Sequence, residues 1–372
     1  MRRMKPRIAR MLTAACSAAL LSAALQGAGS QQRPGTAPAT FDAATRTAVI
    51  DGAIDQMRRA YIFADVAEKM AESLRARVER KEYDAIAGPR EFAETLTKHL
   101  QEVSRDKHLR LVYDPEGLPR RSGPPDPEER ARALADERRR NFGFDRVERL
   151  DGNVGYIELR GFSGTPEARE TAVAAMNRVA ETDALIFDLR RNGGGSPFMI
   201  GILSSYLFDR VVHLNDFYVR ETDSRREFFT TAEVQGRRYG VQKPVSVLTS
   251  SRTFSAAEEF TYNLKNLQRA TIVGETSGGG AHPGGVRRIT DYFGIWLPTG
   301  RAINPITKTN WEGTGVEPHI KVGAADALRA AHLDALKTLR ATATDSRYRD
   351  QLDAAIAALE KPKPQPPDPS SR

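Results

Sequence analysis

Cysteine is nearly missing from this 372-residue chain; Cys16 is the only one. A disulfide framework, a thiol nucleophile in the body of the chain and a cysteine-ligated metal centre are therefore excluded. No stretch approaches the ~18 consecutive apolar residues of a membrane span. Glycine-rich turns are present, but none completes the G-x-G-x-x-G or Gly-Lys-Ser/Thr pattern of a nucleotide site. No His/Asp/Glu grouping has the short spacing of a zinc site, so no metal and no cofactor is expected. The formal charge of +8 is not spread evenly: Arg2, Arg3, Lys5, Arg7 and Arg10 lie within residues 1–30, which hold no acid. What remains is too small an excess to mark a nucleic-acid footprint.

Those five cations precede an apolar stretch at 11–25, and Ala28-Gly29-Ser30 follows with the small residues a signal peptidase accepts. This is the pattern of a secretory signal over 1–30, and it predicts a periplasmic or secreted protein. Lipoprotein anchoring at Cys16 fits less well, because Thr13 stands where a large aliphatic residue is wanted. Residues 31–41 read as a linker. Helical spacing follows over 42–110: Ile50, Ile54, Met57 and Tyr61 form one stripe, Val66, Met70, Leu74 and Val78 a second, and Phe92, Leu96, Leu100 and Val103 a third. Three such stripes predict a small bundle. Residues 111–148 read as a linker rich in Pro and Gly, followed by a charged, solvated helix.

From Asn153 strands alternate with helices. Val154-Gly-Tyr-Ile-Glu-Leu159 alternates, whereas Ala184-Leu-Ile-Phe-Asp188 is a continuous apolar run of the kind covered on both faces. Val245-Ser-Val-Leu-Thr249 and Ala270-Thr-Ile-Val-Gly274 repeat the theme, so residues 149–345 are expected to form an α/β core ending in a helix. Residues 346–372 are read as the end of that helix and a disordered tail with five prolines.

Two strand–turn–helix junctions could carry chemistry. In Asp188-Leu-Arg-Arg-Asn192-Gly-Gly-Gly-Ser196 the glycines let backbone N–H groups face a phosphate or an oxyanion, or simply make a tight turn. In Thr253-Phe-Ser255-Ala-Ala-Glu258 a serine stands at the entry to a helix, where nucleophilic serines are found. Ser255-x-x-Glu258 is equally a capping box, and the stretch by itself does not separate the two readings. A base would have to come from six histidines. His99 and His332 lie in helical stripes, His213 and His319 have nothing to single them out, His108 ends the helical region, and His282 sits in the glycine-rich Ser277-Gly-Gly-Gly-Ala-His282-Pro loop.

Together these segments resemble the tail-specific (C-terminal processing) protease superfamily, in the branch of the tricorn core protease and the modules of interphotoreceptor retinoid-binding protein. The matching segments are Asp106-x-His108, Asn153-Val-Gly-Tyr, Asp188-Leu-Arg-x-Asn192-x-Gly-Gly, Thr253-Phe-Ser255-Ala-Ala-Glu, Arg269-Ala-Thr-Ile-Val-Gly-Glu-Thr and Glu312-Gly-x-Gly-Val-x-Pro, in the family's order. The resemblance implies an α/β, crotonase/ClpP-like ββα catalytic core preceded by a small N-terminal helical bundle. It implies a serine-type endopeptidase acting on a peptide or protein, with Ser255 as nucleophile, His108 as base and Glu312 as supporting carboxylate. Gly194, with Gly195, and Ala256 would form the oxyanion hole, and His282 is a reserve base. The lysine of the serine–lysine members falls on Gly280, the serine that precedes the tricorn histidine is Lys107, and no PDZ domain fits between His108 and the core. The alternative is a non-catalytic module binding hydrophobic ligands, like the retinoid-binding relative. Substrate identity and oligomeric state are not legible.

Overall fold

The computed structural model describes residues 41–118 and 126–361. The signal segment with Cys16, the linker at 31–40, residues 119–125 and the proline-rich tail from 362 lie outside the described residues.

Three helices come first: α1 (Ala43–Ala60), α2 (Ala64–Glu79) and α3 (Pro89–Ser104). Asp42 caps α1 by accepting the Thr45 N–H at 2.8 Å, and Pro89 opens α3 where its missing N–H costs nothing. The expected stripes face inward: Ile54, Met57, Met70, Leu74, Phe92 and Leu96 are buried together. Val78 departs from expectation; it lies in the last turn of α2 and is 45% exposed.

The chain continues through β1 (Arg110–Tyr113), α4 (Pro127–Arg139), β2 (Phe144–Leu150), β3 (Val154–Leu159), α5 (Ala168–Val179), β4 (Ala184–Asp188) and α6 (Pro197–Ser205). Next come β5 (His213–Val219), β6 (Ser224–Phe229), β7 (Val245–Thr249), α7 (Ala256–Asn266) and β8 (Thr271–Gly274). The last elements are β9 (Gly284–Arg288), β10 (Phe293–Pro298), β11 (Gly300–Ile303), β12 (Ile320–Lys321), α8 (Ala327–Thr342) and α9 (Ser346–Glu360).

A six-stranded sheet in the order β12-β8-β7-β4-β3-β2 forms the core, parallel except for β2. Both its faces are covered, as the apolar run of β4 requires. Leu185 and Phe187 point to α5, α6 and α7, while Ala184 and Ile186 point to α8 and α9. The strand β3 read as alternating, yet all six of its residues are buried. Its one acid, Glu158, sits inside because Arg160 pairs with it as an ion at 2.8 Å and Arg191 hydrogen-bonds it at 2.6 Å.

Two three-stranded antiparallel sheets complete the molecule, β1-β10-β9 and β11-β5-β6. They correct the expectation of a linker beginning at residue 111. Arg110–Tyr113 is a strand because it pairs with Phe293–Pro298, a partner far along the chain that local sequence does not reveal. Phe293, Ile295 and Leu297 of β10 are fully buried against the bundle. The charged segment is helical, as expected, and has no fully buried residue in α4, though Leu134 packs partly buried against the core. The C-terminal helical segment is two helices packed on the sheet.

Candidate active site

In a parallel sheet neighbouring strands deliver their following turns to one edge, where ligands are bound. Strands β4 and β7 are such neighbours, so the glycine turn after Asp188 and the serine turn after Thr249 emerge side by side. Asn192 ties them: its Nδ2 donates to Leu159 O at 2.9 Å, its Oδ1 accepts the Gly194 N–H at 2.9 Å, and its carbonyl accepts the Phe254 N–H at 3.1 Å. Thr253 Oγ1 adds a bond to Leu189 O at 2.8 Å.

Ser255 precedes α7 with φ +56° and ψ −122°. An ordinary N-cap lies in the β region, so capping alone does not ask for this backbone. A non-glycine residue here stores strain, as at a strand-to-helix nucleophile turn. Its N–H donates to Glu258 Oε2 at 2.8 Å, so the capping box is also present. Glu258 does more than cap. It is buried, which pushes its pKa up, and it accepts from Ser277 Oγ (2.6 Å), Gly279 N–H (2.6 Å) and Gly280 N–H (2.9 Å). One carboxylate thus fastens the glycine-rich loop to the serine turn.

The glycine turn lies directly against Ser255. A Cβ at Gly194, whose φ is +109°, would come 2.7 Å from Ser255 Cβ. The Gly194 amide, one of the expected oxyanion donors, donates to Asn192 Oδ1 at 2.9 Å. Among the described residues the amides of Gly195 and Ala256 have no partner, and both residues line a cleft of about 260 Å³ with Ser255, Gly280, Phe217 and Trp311.

His108 is buried, stacked on Trp296 at 4.9 Å and against Phe254, the neighbour of Ser255, at 4.6 Å. Burial pulls its pKa down to about 4, with the charge of Asp106 opposing, so the imidazole is neutral. No hydrogen bond joins Ser255 Oγ to an imidazole among the described residues. One nitrogen of His108 and carboxylate oxygens of Asp106 and Glu312 lie within 4.8 Å of one another. His108 Nδ1 and Glu312 Oε1 are both buried without a protein partner. Burial pushes Glu312 up to about 7, with Asp106 adding to the shift and His282 and the Ala281 N–H (2.5 Å) opposing it. His282 Nδ1 sits 2.7 Å from Asp106 Oδ2 and 3.5 Å from Glu312 Oε2. Tyr61 from the bundle also bonds Asp106 Oδ2, at 3.2 Å.

The other four histidines are held elsewhere: His99 by Tyr83, His213 by Asp216, His319 by the Ile272 N–H and His332 by the Asp151 carbonyl. Sequence spacing gave no metal set, yet the fold assembles two groups with ligand-like separation, Asp106–His108–Glu312 and His213–Asp216–Glu227. In the first, Asp106 is already shared by His282, Tyr61 and the His108 N–H; in the second, Asp216 pairs with His213 and Arg225. Gly280 explains the absent lysine. A Cβ there would lie 2.2 Å from Phe254 Cζ and 2.7 Å from His108 Cε1, so the space of a side chain is taken first by the Phe254 ring and then by the imidazole. Asp106 and Glu258 are the site residues sequence reasoning undervalued; Asp106 had appeared only inside a motif, and Glu258 only as a cap.

Residues 153–322 match the model of Peptidase family S41, and residues 41–138 match the N-terminal domain of that family in eukaryotic interphotoreceptor retinoid-binding protein. The chain belongs to peptidase family S41. It is 29% identical over 185 residues to the chloroplastic carboxyl-terminal-processing peptidase 1 of Arabidopsis thaliana, covering 47% of this chain and 35% of that one. It is 25% identical over 203 residues to the carboxy-terminal processing protease CtpA of Bacillus subtilis, covering 54% and 42%. The matches therefore span about 35–42% of the length of these relatives. A solved structure from Parabacteroides merdae shares the fold at 18% identity with a TM-score of 0.52, over 85% of this chain and 97% of that one. A lipoprotein from Streptococcus agalactiae does so at 16% identity and 0.51, over 79% and 96%. The mixed α/β architecture with its helical N-terminal region is the fold these two solved structures share. Among the described residues no helix is long and apolar enough to cross a membrane.

Proposed function

We propose that this S41 member is a secreted serine endopeptidase that works without a lysine and without a PDZ domain. The observation that carries the reading is the backbone of Ser255, held at φ +56° beside the unpaired amides of Gly195 and Ala256 in one cleft. Ser255 Oγ attacks a peptide carbonyl, and the two amides stabilise the charge that develops on its oxygen. His108, neutral at physiological pH, takes the serine proton and returns it to the leaving amine. Glu312 supports the imidazole, since its free Oε1 and the free His108 Nδ1 complement each other when one of them is protonated. His282 acts through others: its bridge to Asp106 and Glu312 makes it a positioning residue in this scheme, behind the base. Past Pro197 and Phe228 the cleft adjoins a second groove of about 490 Å³, room for an extended chain.

The lack of a hydrogen bond between Ser255 and an imidazole favours a second reading, a binding module for apolar ligands. Fluorophosphonate labelling decides between them. The wild-type protein is expected to be labelled and Ser255→Ala is not. Labelling that survives the substitution removes Ser255 from its role, and no labelling of either protein selects the binding module.

A further inference from the structure

Glu259 has no part in the chemistry above, yet it lies under the nucleophile. It stands four residues after Ser255 and three after Ala256 on α7, so the helical repeat turns it to the same face. It is 3% exposed and lines the same cleft. Among the described residues the only partner of its side chain is Asn215, whose Nδ2 reaches Oε1 at a long 3.4 Å; Oε2 has none there. Asn215 Oδ1 is itself buried without a donor. Burial pushes Glu259 up to about 8, opposed by the Asn215 hydrogen bond and by no cation among the described residues. The surrounding walls are Phe217, Val219, Phe228 and Trp311. The cleft's other charged side chain, Arg226, is exposed, with its guanidinium 5.0 Å from the Phe228 ring.

Two acceptors short of donors, at the end of an apolar, aromatic-walled pocket, suit one kind of side chain. A lysine or arginine lays its methylene stem along apolar walls, favours aromatic faces and carries several N–H donors at its tip. We propose that Glu259 and Asn215 form the floor of a specificity pocket that selects a basic residue next to the scissile bond. This rests on Ser255 being the nucleophile, which makes the neighbouring pocket the one that holds the substrate side chain. Occupation by a cation supplies the partner whose absence makes a buried carboxylate costly.

The test is a peptide series differing only at the residue before the scissile bond. Lysine and arginine are expected to exceed norleucine by about tenfold or more in kcat/KM. Glu259→Gln should lower the lysine peptide by about 10- to 100-fold while leaving norleucine cleavage and fluorophosphonate labelling in place. Equal cleavage of lysine and norleucine by the wild type, or an equal loss of both in the variant, overturns the proposal. The wild-type ratio needs no variant, so a misfolded Glu259→Gln does not shield it. Fluorescence titration of p-aminobenzamidine into Ser255→Ala reads the pocket without turnover. Saturable binding that Glu259→Gln abolishes supports the pocket, and no binding overturns it. Absence of labelling in the wild type instead strikes the peptidase reading, so the two failures are told apart.

Discussion

At the scale of the residue, the site is governed by what burial does to charge. His108 is squeezed between Trp296 and Phe254 and resists protonation down to about pH 4. Unfolded, it would take a proton near 6.5, so the stability this neutral ring contributes is present above 6.5 and lost as pH falls toward 4. Glu312 runs the other way. The folded site holds its proton up to about pH 7 and the unfolded chain releases it near 4.5, so that stability is present below 4.5 and lost as pH rises through 7. Glu312→Gln should therefore gain in melting temperature relative to wild type as pH is raised across that window. A difference that stays constant with pH would mean Glu312 titrates as an ordinary carboxylate. The same residue shows the limit of sequence: Glu312 was singled out by its motif, but only the tertiary contact with Asp106, His108 and His282 defines its state.

At the scale of the element, two turns of neighbouring parallel strands are locked together, and glycine is what lets them approach. Gly194 combines φ +109° with a Cβ position that collides with Ser255, so Gly194→Ala meets both backbone and steric strain. The expected outcome is a loss of about 1–3 kcal/mol in chemical denaturation, together with loss of fluorophosphonate labelling. A variant as stable and as reactive as wild type would show that the turn does not shape the nucleophile. These turns were legible because they follow apolar strands and carry marked residue types. The capping box was legible too, but its wider duty was not. Glu258 reaches the amides of Gly279 and Gly280, and nothing local connects residue 258 to that loop.

At the scale of the whole molecule, the bundle and the core share one site. Asp106 and His108 follow α3, Tyr61 ends α1, and His282 and Glu312 come from the loops of the core. The joint is β10, whose Phe293 is fully buried among α-helical side chains and against Phe41 and Phe92. Phe293→Ala should cost about 3–5 kcal/mol, measured by urea unfolding, and should lower activity in step, because His108, the base of the proposed mechanism, follows the last helix of the bundle. Unaltered activity in a destabilised variant would show that the bundle only completes the fold.

The sequence by itself determined the inward stripes of the bundle, the doubly covered β4, the two turns and the residues most apt for chemistry, since periodicity, capping and turn propensity act over a few neighbours. The tertiary structure alone decided the two small antiparallel sheets, the pairing of β1 with β10 and the gathering of residues 106, 108, 282 and 312. It also decided which amides stay free and which carboxylates are raised, because hydrogen-bond partners and desolvation come from groups distant in the chain.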